Sequence, residues 1–323
     1  MSYGLGAAMK MGRVFIHEAG GEVWTKGNVF CQSTSLLDEC LLQPMSSCSL
    51  EDVLHGETAP YMHELDSAKW DEHRVLQSRD FRGDTAAFPH VFHEVLAKGP
   101  VPLWSGNDYD APACEIPFPA AADNGRYAVQ WWRAQATGYV YRPAPPMLRA
   151  IREHTAKIFQ AGLIPPGTIG VHVRRGDKSK ESSDITDAKY LFRVEALHAA
   201  SAAAGAPLQR TIFLSTEDTI TLAVFKSWPN WTVLHTDVPR YHEKISPMDF
   251  AARTGVAEVV LNDLVSLELA LQCDAWVGSL SSNWVRLIHE LRSTVRCKAD
   301  NLFFDSRFGL NFTYTTSIPA LYR

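Results

Sequence analysis

Long apolar runs are missing from this chain. No stretch has the roughly 18 uninterrupted apolar residues that a membrane-crossing helix requires. Residues 1–10 carry neither a charged leader nor an extended apolar core, so they do not read as a signal peptide. None of the six cysteines forms a C-x-x-C pair, which argues against a structural zinc site. No G-x-G-x-x-G follows an expected strand, so the dinucleotide fingerprint is absent. No D-x-D follows one either, and no divalent-cation requirement is expected. Positive charge is scarce: 31 Lys and Arg against 36 Asp and Glu leave a net charge of −5. That excludes broad nucleic-acid binding and confines any anion site to a local basic pocket.

What is present is a folded chain of 323 residues, 46 % hydrophobic and 21 % charged. That length suits two domains, here expected at 1–165 and 166–323. Cys31, Cys40 and Cys48 cluster in a segment without periodicity, which fits either disulfide stapling or buried thiols. Two N-x-S/T sequons, at Asn230 and Asn311, add weak support for a secretory compartment. Residues 31–125 are rich in proline and show little regular pattern. Residues 127–141 read as a helix, with Trp131, Gln135 and Tyr139 on one stripe. Three prolines, Pro143, Pro145 and Pro146, end it, and a second helix is expected over 147–160.

From 166 onward the pattern alternates. Strands are expected at 169–174, 211–215, 231–235, 275–278 and 302–305. Helices are expected at 187–203, 218–227, 255–272 and 281–293. Such alternation implies an α/β fold with a parallel sheet wound by helices, a Rossmann-like domain.

Ligands of such sheets bind beyond the carboxyl ends of the strands. The first strand ends in His172-Val-Arg-Arg-Gly-Asp-Lys178. Arginine's planar fork suits phosphate, so Arg174 is a candidate for a phosphate-bearing ligand. A solvated loop with Arg174 and Arg175 paired to Asp177 is the competing reading. Arg174 shares the strand face of His172, whereas Arg175 points the other way and is suited to bracing. The segment from Val277 to Trp284 runs from a strand into a helix start, where Ser281 and Ser282 are candidates both for capping and for an anion site. After the second strand, Glu217 and Asp218 offer carboxylates for a ribose, a base edge or a helix cap. Asp177, Lys178 and Glu181 bring a mixed-charge loop that can supply a base and a cation to a sugar transfer.

The segment His172–Lys178, together with Trp131-Trp-Arg-Ala-Gln135, Tyr139, Arg142-Pro143, Gln272-Cys-Asp274 and Val277-Gly-Ser-Leu-Ser-Ser282, resembles the signatures of the α1,6-fucosyltransferases. These include the N-glycan core enzymes and the nodulation-factor enzymes. The likeness covers about residues 127–305.

The resemblance implies a GT-B-like arrangement of two Rossmann-like domains facing a crevice. It also implies metal-independent, inverting transfer of fucose from GDP-fucose to a glycan hydroxyl, without a cofactor. Carried over by position, Arg174 and Ser282 hold the diphosphate, with Arg175 and Ser281 beside them, and His172 contacts guanine. Asp177, Lys178, Glu181 and Tyr190 line the acceptor side, and Glu217 and Asp218 shape the crevice. Glu181, or else Asp177, is the expected base. The loop carrying them is one residue shorter than in the core enzymes. The family's guanine-reading aspartate falls on Ser266; Asp263, one helical turn earlier, is its expected substitute. The partners implied are a nucleotide sugar and a glycan, in the Golgi lumen. The stem and membrane anchor of a Golgi type II protein are missing from this sequence, which is therefore expected to be a shortened form. A non-catalytic nucleotide-sugar-binding protein on this fold, or an enzyme acting on protein hydroxyls, is the alternative.

Overall fold

A computed structural model of the chain describes residues 126–159, 162–176, 185–241, 245, 247–296, 298 and 303–306, together with the isolated positions 8, 14, 16, 42, 43, 69 and 72. Those isolated positions apart, the loop-rich segment expected at 31–125, with its cysteine cluster, lies outside the described residues, as does the Asp177–Glu181 loop.

Two helices come first, α1 over Arg126–Val140 and α2 over Pro145–Ile158. Pro145 opens α2, where a missing N–H costs nothing. Then β1 (Ile169–Val173), α3 (Asp187–Ala203), β2 (Thr211–Thr216), α4 (Thr219–Lys226) and β3 (Thr232–Leu234) alternate. A short helix, α5 (Pro247–Thr254), precedes α6 (Val256–Gln272), β4 (Ala275–Gly278), α7 (Asn283–Val295) and β5 (Phe303–Asp305). The expected strands and helices are all present, with ends shifted by a residue or two. Only α5 was not anticipated: it is short and begins on Pro247, and Gly255, at φ 112°, separates it from α6.

The strands form one parallel sheet in the order β3-β2-β1-β4-β5. The chain winds one way from β1 to β3, then crosses over and continues from β4 to β5, so the winding reverses between β1 and β4. A crevice opens at such a reversal, beyond the carboxyl ends of the strands.

The central strands β1, β2 and β4 are buried on both faces, the edge strand β3 only in part, and alternate side chains feed two cores. Ile169, Val171, Val173, Ile212, Leu214, Ala275 and Val277 face α3 and α4, meeting Tyr190, Val194, Leu197 and Phe225. Phe213 and Trp276 face the other way, against Met147 and Ile151 of α2, Leu261 and Val265 of α6, and Ile288 and Leu291 of α7. Each such side chain contributes about 1.5–3 kcal/mol through burial. Thus α1 and α2, placed by sequence in the first domain, join the helices of this sheet. In α1, Arg133 Nε and Thr137 Oγ1 both donate to the buried Glu290 carboxylate of α7, at 2.9 and 2.7 Å.

At the opposite, amino-terminal edge of the sheet, cations cover the end of α6. Lys298 Nζ donates to the carbonyls of Gln272 and Cys273, and Arg292 lies fully buried beside them. Such charges complement the helix dipole. The Cys273 thiol is free and buried, and burial pushes its pKa up to about 12, so it is an inert core group.

Also buried is His289 of α7, against the Phe303 ring. Burial, and then Arg292, push its pKa down to about 3. The unfolded chain takes this proton near the ordinary value of 6.5 and the folded chain does not. Neutral His289 therefore adds stability that is present above about pH 6.5 and is lost as pH falls toward 3. Urea unfolding at pH 6.5 and pH 4 should show a smaller acid-induced loss for His289→Gln than for the wild type. Equal losses would contradict this.

Candidate active site

Parallel pairing builds the site at the carboxyl edge. His172 of β1 lies in register with Ser215 of β2, and Val173 with Thr216. One alternation further, Arg174 and Glu217 extend the same face. A cavity of about 460 Å³ opens there, a size ordinary for small-ligand sites. Its walls are His172 and Arg174 from the end of β1, Ser215–Glu217 from β2, and Thr236, Val238, Pro239 and Tyr241 from the loop after β3. Phe250 and Thr254 of α5, then Val259, Asn262, Asp263 and Ser266 of α6, close one side. Ser282–Trp284 at the start of α7 close the other.

His172 is buried at 6 % exposure. Burial, and then the Arg174 charge, push its pKa down to about 3 despite Ser215, so the imidazole is neutral. Its Nδ1 is 3.2 Å from Ser215 Oγ, while Nε2 is buried with no hydrogen-bond partner among the described residues. Arg174 pairs with the Glu217 carboxylate. Burial alone would lower its pKa, but Glu217 and the Tyr241 hydroxyl more than offset that and raise it.

Asp263 stands on the cavity with its carboxyl pKa pushed up to about 7, first by the surrounding protein and then by Glu217; Arg174 pulls the other way. The side chain is exposed, so cavity water tempers the effect. Arg240 pins the loop after β3 by donating to the carbonyls of Thr216 (3.1 Å), Val238 (3.1 Å) and Thr236 (2.8 Å).

The residues singled out from sequence divide into two groups. His172, Arg174, Glu217, Asp263 and Ser282 all border the cavity, and so does Ser266. Ser282 is the N-cap of α7, yet its side chain makes no capping bond. A hydroxyl and a helix start are thereby turned toward the cavity.

Ser281 is not the helix start. The turn before α7 is drawn out by Leu280 N donating to Asp305 Oδ2 at 2.9 Å, so the helix begins at Asn283, and Ser281 Oγ lies 2.8 Å from Ser279 Oγ. Arg175 turns to the far face. Its guanidinium bonds the Ile185 carbonyl, Asp187 and Thr221, so it braces α3 and α4 and does not reach the cavity. Asp218 is buried as the cap of α4, accepting from Thr221 N at 2.9 Å and Thr221 Oγ1 at 2.8 Å. Tyr190 packs in the core between α3 and the sheet, away from the cavity. Burial raises its pKa.

Sequence reasoning passed over Thr236, Val238, Tyr241, Phe250 and Asn262. The rule that ligands lie beyond strand ends applies as well to the loop after β3 as to that after β1, and it would have found the first three.

No family model matches this chain, and no curated protein does. Solved structures show a partial likeness. Fucosyltransferase NodZ from Bradyrhizobium is 17 % identical, over 47 % of this chain and 45 % of that one, at a TM-score of 0.30. NodZ α-1,6-fucosyltransferase soaked with GDP-fucose gives 18 % identity over 49 % and 47 %, again at 0.30. POFUT1 in complex with GDP-fucose gives 10 % identity over 56 % and 48 %, at 0.29. The chain spans less than half the length of each of these structures. A likeness of that size says nothing about individual residues.

Proposed function

We propose that this chain is a glycosyltransferase that moves fucose from GDP-fucose to a glycan hydroxyl, with inversion and without a metal, in the Golgi lumen. The observation that carries the reading is the meeting of His172, Arg174, Asp263 and the Ser282 helix start on one cavity at the carboxyl edge of a parallel sheet. These residues belong to the segments that resemble the α1,6-fucosyltransferase signatures, or lie one helical turn from them.

In this reading the diphosphate lies between Arg174 and the start of α7, where a fixed cation and free helix N–H groups meet developing negative charge. The base lies deeper, toward neutral His172 and Asp263. Asp263, whose carboxyl pKa is raised, offers a donor or an acceptor to a base edge. Glu181, or else Asp177, takes the proton of the acceptor hydroxyl as it attacks the anomeric carbon. Lys178 assists Arg174 as the diphosphate departs.

A panel of sugar nucleotides with N-glycan and protein acceptors, read as released nucleotide, tests the proposal. GDP-fucose with a glycan should give the highest kcat/KM. Preference for another donor would move the chain to a different transferase, and fucose transfer to protein alone would change the acceptor class. GDP binding without turnover on any acceptor would make it a binding protein.

A further inference from the structure

The end of β1 carries a hollow built for an oxyanion, and the protein fills it with its own carboxylate. Arg175 N donates to Glu217 Oε1 at 2.6 Å, and the Arg174 guanidinium pairs with the same oxygen. Gly176 follows with φ 55°, a left-handed turn. A Cβ added to Gly176 would lie 3.3 Å from Arg174 Nη1 and 3.5 Å from Glu217 Oε1, so the chain curls closely around that oxygen. Successive backbone N–H groups turned inward by such a bend form an anion-binding nest. Here a guanidinium stands over it. The groups best placed to hold a phosphate oxygen thus converge on one atom of Glu217, on the wall of the cavity. The Glu217 backbone is held separately, its carbonyl accepting from Tyr241 N at 3.0 Å, so its side chain can turn away without unpairing the strand end.

We infer that the Arg174–Gly176 turn is a phosphate subsite and that the Glu217 carboxylate is its internal occupant, displaced when a diphosphate ligand enters. The inference rests on the reading of the cavity as a nucleotide-diphosphate site. Glu217 then lowers affinity by competing, and the site stays neutralised while empty. If Glu217 instead holds Arg174 in its binding pose, removing its charge weakens the ligand. The two roles predict opposite signs.

The test measures calorimetric Kd values for inorganic pyrophosphate and for GDP with the wild type and Glu217→Gln. The inference expects Glu217→Gln to bind pyrophosphate about tenfold more tightly, the gain from removing one competing charged contact. Equal or weaker binding overturns it. GDP binding with no gain in the variant overturns the inference and leaves the proposed function standing. A pyrophosphate gain without any preference for GDP does the reverse. Binding of neither probe by either protein removes both. Should the variant fold poorly, the wild type gives the answer by NMR. The Arg175 amide resonance must shift on pyrophosphate addition as Glu217 is exchanged for phosphate, and an unmoved resonance at saturation defeats the inference.

Discussion

Replacing Arg174 by alanine should lower kcat/KM for nucleotide-sugar turnover by about 10²–10³-fold, the usual loss when one fixed donor to developing charge is removed. The argument goes beyond one missing contact. Arg174 is the charge that draws the Asp263 pKa downward, against Glu217. Without it, Asp263 holds its proton more firmly, the Glu217 carboxylate faces the diphosphate with no guanidinium beside it, and repulsion adds to the lost hydrogen bonds. Folding should survive. The Arg174–Glu217 pair is partly open to solvent, at 20 % and 17 % side-chain exposure, and pairs near the surface contribute about 0–1 kcal/mol. Arg174→Lys should recover only part of the activity, because an ammonium keeps the charge but loses the planar fork. Adding Glu217→Gln to Arg174→Ala should relieve some of the repulsion. Kinetics by nucleotide release, alongside thermal melting of the same samples, separate the two effects. A variant that melts like the wild type and retains activity within tenfold would remove Arg174 from the chemistry.

The reach of sequence reasoning follows from which contacts are local. Strands buried on both faces are short apolar runs between turn residues, so 169–174 and 275–278 were readable from composition and punctuation. The alternation with helices then implied a parallel sheet and a ligand edge. His172, Arg174 and Ser282 could be found because each lies at the end of such a run. Asp218 had a cap signature that the structure realises, whereas the family likeness had placed it on the crevice. Ser281 slipped by two residues because a long-range bond from Leu280 to Asp305, 25 positions away, sets the turn. The pairing of Glu217 with Arg174 depends on β1 and β2 lying in register. No local pattern states that register, so sequence reasoning placed Glu217 on the crevice but found it no partner. The cavity walls at Tyr241 and Phe250 were missed for a similar reason: their rings meet at 4.5 Å in a fold where Tyr241 bridges back to Asp218, just past β2.

Register also explains why, among the described glycines, Gly170 leaves the least room for an added methyl. Gly170 sits in β1 directly beside Phe213 of β2 and Trp276 of β4. A Cβ at Gly170 would fall 1.9 Å from Trp276 Cε3 and 2.0 Å from Cζ3, well inside contact distance. The indole therefore lies flat across β1 in the space a side chain would take. Trp276 is fully buried among α2, α6 and α7. Gly170→Ala should therefore destabilise by about 3 kcal/mol or more, the upper end of the cost of overpacking a core. Urea unfolding would show this as a lower midpoint with an unchanged slope. The cause is testable by pairing it with Trp276→Leu. Each substitution alone should destabilise, one by crowding and the other by opening a cavity. Together they should cost less than their sum, because each fills or vacates the other's space. Additive losses would mean that the clash is relieved elsewhere and that Gly170 is required for some other reason. The effect should also reach the cavity. His172 is two residues further along β1 on the same face, so a strand pushed off Trp276 carries the imidazole and Arg174 with it.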